Sequence, residues 1–113
     1  MRLSLIRVLP ASLTSLAILL LVAPPLHAQG DAASLYKAKC AACHAADGSG
    51  STAAGKQMQT PDLRSDEVQK QSDAQLTAAT VDGKGKKMPA YKGKLTDDQV
   101  KQLVSYIRDL AKK

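Results

Sequence analysis

The sequence predicts an all-α fold of three to four short helices, on three observations. No window sustains the alternation of β-branched and polar residues that a strand requires. Helix-start signals in which Gln follows Ser or Thr by three positions recur, at Ser72–Gln75 and Thr96–Gln99. The last segment carries Val100, Leu103, Val104, Ile107, Leu110 and Ala111 on one stripe at helical spacing.

The first 28 residues stand apart from this fold. Arg2 and Arg7 give a positive start, an apolar run fills residues 8–26, and Ala28 precedes a break in character. That order is the pattern of a secretory signal cleaved after Ala28. The competing reading is an uncleaved membrane anchor. Pro10, Pro24 and Pro25, with interspersed Ser and Thr, cut the unbroken apolar run below the ~20 residues a span needs. The expected organisation is therefore a signal at 1–28 and one domain at 29–113, exported to the bacterial periplasm.

Within the domain, Asp31 is expected to cap a first helix with Ala32, Leu35 and Tyr36 on one face, running towards Cys40. Residues 47–62 read as a loop from their Gly, Ser and Thr content. Ser65 caps a short turn through Val68. The Ser72–Gln75 capping box opens a helix near 73–82, and Gly83 stops it. Residues 83–94, "GKGKKMPAYKGK", form a second loop. Thr96 then caps the final helix, Leu95 and Val100 can form a hydrophobic staple, and Asp97 and Asp98 face the positive end of the dipole. Tyr106 stands on the edge of its apolar stripe.

This core is short of apolar bulk. There is no Phe or Trp, the aromatics are Tyr36, Tyr91 and Tyr106, and many apolar positions are Ala. Domains of this size usually make up such a deficit with disulfides, a metal or a cofactor. A bridge between Cys40 and Cys43, the two cysteines of the chain, would close a tiny loop and restrict the unfolded chain little. Something large and apolar that is not encoded as side chains is expected in the middle.

The stretch "CAACHAADGSG", residues 40–50, places Cys40, Cys43 and His44 together. Four readings compete for it. A zinc site needs a fourth ligand, and the other histidine, His27, lies in the presumed signal. A dithiol redox site belongs at a helix start near a βαβ pattern, whereas these cysteines end a helix. A structural disulfide leaves His44 and the weak core unexplained. Covalent haem attachment accounts for all of these features. Two thiols three apart near a helix end can each reach one vinyl group on the same porphyrin edge, and the next residue projects its imidazole under the iron. The haem then supplies the missing bulk.

Haem iron takes a sixth ligand or leaves an open site. Met58 and Met88 are the available thioethers. Met58 lies 14 residues from His44, in a loop that would have to cross quickly to the other haem face. Met88 follows a helix that can carry the chain round, and Pro89 stiffens the backbone beside it. Geometry favours Met88.

Residues 31–113 resemble the class I monohaem c-type cytochromes, especially the short bacterial and photosynthetic ones. The resemblance rests on "CAACHAADGSG" and on "GKGKKMPAYKGKLTDDQVKQLVSYIRDL". It implies a small cytochrome c fold around one haem c, thioether links at Cys40 and Cys43, a proximal His44 and a distal Met88. It also implies a close crossing of the first and last helices, involving Tyr36, Leu103 and Tyr106, with Ala32 where many relatives have Gly. The loop "STAAGK" replaces the proline-bearing loop of many members, and a carbonyl near Ala53 is the expected acceptor for the second nitrogen of His44.

With both axial positions filled, the expected role is one-electron transfer between redox proteins, without a small-molecule substrate. The alternatives are a haem module or subunit of a larger oxidoreductase, and a haem enzyme or sensor with open iron. The latter lacks a second histidine in the exported chain to assist acid–base chemistry. Sixteen basic residues oppose ten acidic ones, a net charge of +6, and Lys84, Lys86, Lys87, Lys92 and Lys94 crowd one loop. Export and the lack of interleaved aromatics argue against nucleic acid, which leaves a redox partner with an acidic docking surface. The state expected is a monomer or a subunit of a redox complex.

Overall fold

The computed structural model describes residues 27–113, with side chains from Asp31 onward, so the signal expected at 1–28 lies almost entirely outside the described residues. Six helical segments follow one another: α1 (His27–Lys39), α2 (Ala41–His44), α3 (Ala53–Met58), α4 (Asp66–Gln69), α5 (Asp73–Asp82) and α6 (Asp97–Leu110). Among the described residues the β structure is a single isolated bridge between Lys84 and Met88. The all-α expectation holds, with α1, α5 and α6 as the longer elements and α2, α3 and α4 as short ones of four to six residues.

The capping chemistry sets most of these boundaries. The Ser72 and Thr96 hydroxyls accept from the Gln75 and Gln99 amides, and each Gln side chain accepts in return from the cap amide. Both boxes thus satisfy amides that a helix start leaves without partners. Ser65 caps α4 by accepting from Val68. Gly83 ends α5 with its amide on the Ala79 carbonyl.

Three expectations change. Asp31 lies inside α1, not at its cap, because the helix already begins at His27; the carbonyls of the preceding turn take the amides a cap would serve. The loop expected at 47–62 contains α3, started by Thr52, whose side chain accepts from the Gly55 amide. Ala111 is exposed at the end of α6 and adds nothing to its buried stripe.

The core forms where α1 crosses α6 and α5 packs beside them. Tyr36 and Leu103 are its most enclosed side chains, 1% and 2% exposed, and Ala32, Val100, Val104 and Leu110 are buried around them. The Tyr36 and Tyr106 rings meet at 5.0 Å between centroids, tilted by 46°. Burial of a side chain such as Leu103 stabilises by roughly 1.5–3 kcal/mol. Leu63, Val68 and Leu76 extend the cluster away from the crossing.

Arg108 fastens the middle of the chain to α6. Its guanidinium donates to the Gln69 carbonyl (2.9 Å), the Gln71 carbonyl (2.5 Å) and the Asp73 carboxylate (2.8 Å). The Gln69 side chain in turn donates to the Leu63 and Ile107 carbonyls, at 2.7 and 3.3 Å. This network holds residues 63–73, which wall the site described next.

Candidate haem-binding site

The end of α1 and the short helix α2 carry the attachment motif. The Cys40 amide donates to the Tyr36 carbonyl and the His44 amide to the Cys40 carbonyl, so the helical path continues with a break in direction at Cys40. Ala45 then takes the left-handed region, φ 63°, and turns the chain away. The buried Tyr36 hydroxyl donates to the Ala45 carbonyl at 2.8 Å and pins that turn to the core.

The following loop folds back and seals the motif. The Gly50 amide donates to the His44 carbonyl at 2.8 Å. The Thr52 hydroxyl donates to the Ala42 carbonyl at 2.8 Å and lies 3.2 Å from that of Cys43. Gly55 lies so close to the Cys43 and Gly50 carbonyls that a β-carbon there would collide with both. Sequence reasoning missed Thr52 and Gly55. Thr52 is of a type that starts helices, but nothing local says that its helix packs against the motif.

Cys40, Cys43, His44, Met58 and Met88 all line one cavity of about 350 Å³. Leu63, Val68, Leu76 and Ala79 form an apolar wall, and Pro61 and Pro89 stand on opposite arms. Its polar residues include Gln59, Gln71, Lys84 and Lys87. The Lys87 ammonium donates to the Gln59 side chain at 3.1 Å and so spans between the arm after α3 and the arm before Met88. Tyr91, also on the lining, donates its hydroxyl to the Lys39 carbonyl at 2.8 Å and ties the second loop to the end of α1. Sequence reasoning listed Tyr91 as an aromatic without assigning it to this wall.

The donor set and the cavity fit a haem. Cys40 and Cys43 form no disulfide. Burial pushes the Cys40 thiol up to about 11, the opposite of the lowered value that a dithiol redox site needs. Burial lowers the His44 pKa, which favours the neutral imidazole, the form that binds metal. His44 Nδ1 is buried without a hydrogen-bond partner, so the expected bond to a carbonyl near Ala53 is not formed. A buried polar atom left so is costly unless a further group completes its surroundings. No group of three or more His, Cys, Asp or Glu that could hold a metal ion occurs among the described residues.

Both methionines reach the lining, but differently. Met58, at the end of α3, is 38% exposed. Met88 is half-buried, and its carbonyl accepts from the Lys84 amide at 2.9 Å. Lys84, Lys86, Lys87, Lys92 and Lys94 are all exposed around it.

Comparison with known proteins agrees with this architecture. Residues 27–107 match the family model described as cytochrome c oxidase, cbb3-type, subunit III. A cytochrome c6 from Leptolyngbya boryana is 37% identical over 79 residues, which cover 70% of this chain and 88% of that relative. A solved structure titled KustC0563 c-type cytochrome superposes with a TM-score of 0.66 at 32% identity, covering 71% of this chain and 96% of the other.

Proposed function

The chain belongs to the c-type cytochromes, in the family described as cytochrome c oxidase, cbb3-type, subunit III, and on that premise we propose that it is a periplasmic one-electron carrier with His44 and Met88 as axial ligands of one haem c. Electron transfer and covalent haem c follow from the family and from the C-x-x-C-H spacing of its cysteines. The observation that carries the finer reading is the convergence of Cys40, Cys43, His44 and Met88 on one largely apolar cavity. Bound haem supplies one-electron cycling of its iron, and a thioether ligand favours the ferrous state.

The residues of this chain do the rest. Cys40 and Cys43 would hold the porphyrin edge, and the Gly50 amide and Tyr36 hydroxyl fix the consecutive His44 and Ala45 carbonyls. Leu63, Val68 and Leu76 exclude water, which limits reorganisation when charge changes. Met88 suits the sixth position better than Met58 because it is the less exposed of the two and Pro89 restricts the backbone beside it. The exposed lysines around Met88 would meet an acidic partner, and such steering favours the fast, weak complexes a carrier needs.

No helix of the described residues is long and apolar enough to cross a membrane. The signal-like pattern of residues 1–28 is what supports export to the periplasm. A second reading is a haem-bearing subunit of a larger oxidoreductase, favoured by the description of the matching family. Expression with export, followed by haem staining on a denaturing gel and size-exclusion of the native extract, tests the proposal. Stained protein of single-chain size in the periplasmic fraction is expected, and Cys40→Ala with Cys43→Ala should abolish the stain. Staining confined to membranes or to a large assembly would favour the second reading.

A further inference from the structure

The backbone around Met88 is fastened to the end of α5. The Lys84 amide donates to the Met88 carbonyl at 2.9 Å, and the Lys87 amide to the Lys84 carbonyl at 3.1 Å. Beyond Pro89, the Tyr91 amide donates to the Thr80 and Val81 carbonyls at 3.2 and 3.1 Å, and the Lys92 amide to Val81 at 3.0 Å. Gly83 sits between these two arms. Its φ of 72° and ψ of −170° lie in a region that is essentially glycine's alone. A β-carbon at Gly83 would stand 2.5 Å from the Met88 carbonyl oxygen, 2.8 Å from the Ala90 nitrogen and 2.8 Å from the Pro89 carbonyl carbon. These are backbone atoms, which cannot swing aside as a side chain can. Gly85 provides a contrast within the same loop: its φ is also positive, at 57°, yet a β-carbon there would meet nothing within 4 Å.

We propose that Gly83 is a positioning residue for Met88. The bare α-carbon of Gly83 lets the Met88–Ala90 backbone lie directly on the α5 cap, and this contact fixes where the thioether stands in the cavity. The inference rests on the reading of Met88 as the sixth ligand. With any side chain at Gly83 the segment must retreat by about an ångström to regain ordinary contact at 3.4–4 Å. Functional groups need to be held within about 0.5 Å of their productive position, so a retreat of that size is enough to weaken the bond to iron.

The test compares wild-type, Gly83→Ala, Gly85→Ala and Met88→Ala holoproteins. The readouts are the weak long-wavelength band of thioether-ligated ferric haem, the reduction potential and the affinity of the iron for imidazole. Gly83→Ala should lose most of the band, lower the potential and bind imidazole about tenfold more tightly or better, a change that about 1.4 kcal/mol produces. Its covalent haem and far-ultraviolet helical signal should remain. Gly85→Ala should stay within about twofold of wild type in imidazole affinity, since a β-carbon there meets nothing within 4 Å and displaces no part of the Met88 segment, so its positive φ costs fold stability and not ligation. If Gly83→Ala does not accumulate in folded form, Lys84→Pro should show the same losses, because it removes the amide that holds the Met88 carbonyl. Wild-type behaviour of the folded variant, or equal effects at Gly83 and Gly85, would overturn the inference while Met88→Ala still lost the band. Retention of the band in Met88→Ala would instead overturn the ligand assignment and the inference with it.

Discussion

Replacing Tyr36 by Phe removes one oxygen from the most enclosed side chain of the core. The ring is 1% exposed and packs on Tyr106, and Phe keeps that shape and leaves no cavity. What disappears is the hydroxyl that donates to the Ala45 carbonyl at 2.8 Å. That carbonyl still accepts from the Gly48 amide at 3.2 Å, so it is not left without a partner. The cost should therefore be that of one net hydrogen bond, about 1–1.5 kcal/mol, below the ~3 kcal/mol that a fully abandoned buried acceptor can reach. For a domain of 60–100 residues this corresponds to a fall in Tm of roughly 4–12 °C. Tyr36→Ala should cost about 3–5 kcal/mol, since the ring packing goes as well. Guanidinium titration of the holoproteins, followed by far-ultraviolet circular dichroism, measures both. A Tyr36→Phe variant as stable as wild type, or one as damaged as Tyr36→Ala, would refute the role given to this hydroxyl.

Burial, with smaller contributions from neighbouring ionisable groups, also pushes the Tyr36 phenol above its ordinary value of 10.0. The unfolded chain then loses the phenol proton at lower pH than the folded one, so this stabilisation is complete below pH 10 and declines as pH rises; stability curves of wild type and Tyr36→Phe should converge above that pH. Arg108→Ala leaves the Gln69 and Gln71 carbonyls without their donor, and should cost about 2–3 kcal/mol in chemical unfolding. Arg108→Lys should restore less than half, because one ammonium cannot reach both carbonyls and Asp73 in a fork. Reversing Lys86 and Lys87 to Glu should slow reduction of an anionic iron complex and flatten its salt dependence, since exposed charges are screened over ~8–10 Å at physiological ionic strength. Reversal of Lys112 and Lys113, at the far end of the chain, should do so less; stopped-flow rates at two salt concentrations decide it.

Where a signal was local, the sequence was legible. The boxes at Ser72 and Thr96, the stop at Gly83 and the stripe on α6 each depend on residues within a turn or two of one another, and the structure reproduces them. The motif at Cys40, Cys43 and His44 was legible for the same reason. Asp31 was misread because its capping character depends on whether the chain before it is already helical. The segment holding α3 reads as a loop because Gly55 is a poor helix former there. Its glycine is required by the close approach to the Cys43 carbonyl, a contact between positions twelve apart. The Arg108 network was likewise invisible, since its partners lie 35 to 39 positions away. Met88 was reached through its own neighbour Pro89, whereas the backbone that holds it comes from the end of α5.

The central claim is that one chain segment supplies the thioether facing the haem from the side opposite His44. Ferric absorption spectra of wild type, Met88→Ala and Met58→Ala, exported with haem attached, test it most directly. The weak long-wavelength thioether band should be present in wild type and in Met58→Ala and absent in Met88→Ala, whose ferrous form should also bind carbon monoxide. A band that survives in Met88→Ala and vanishes in Met58→Ala would contradict the account.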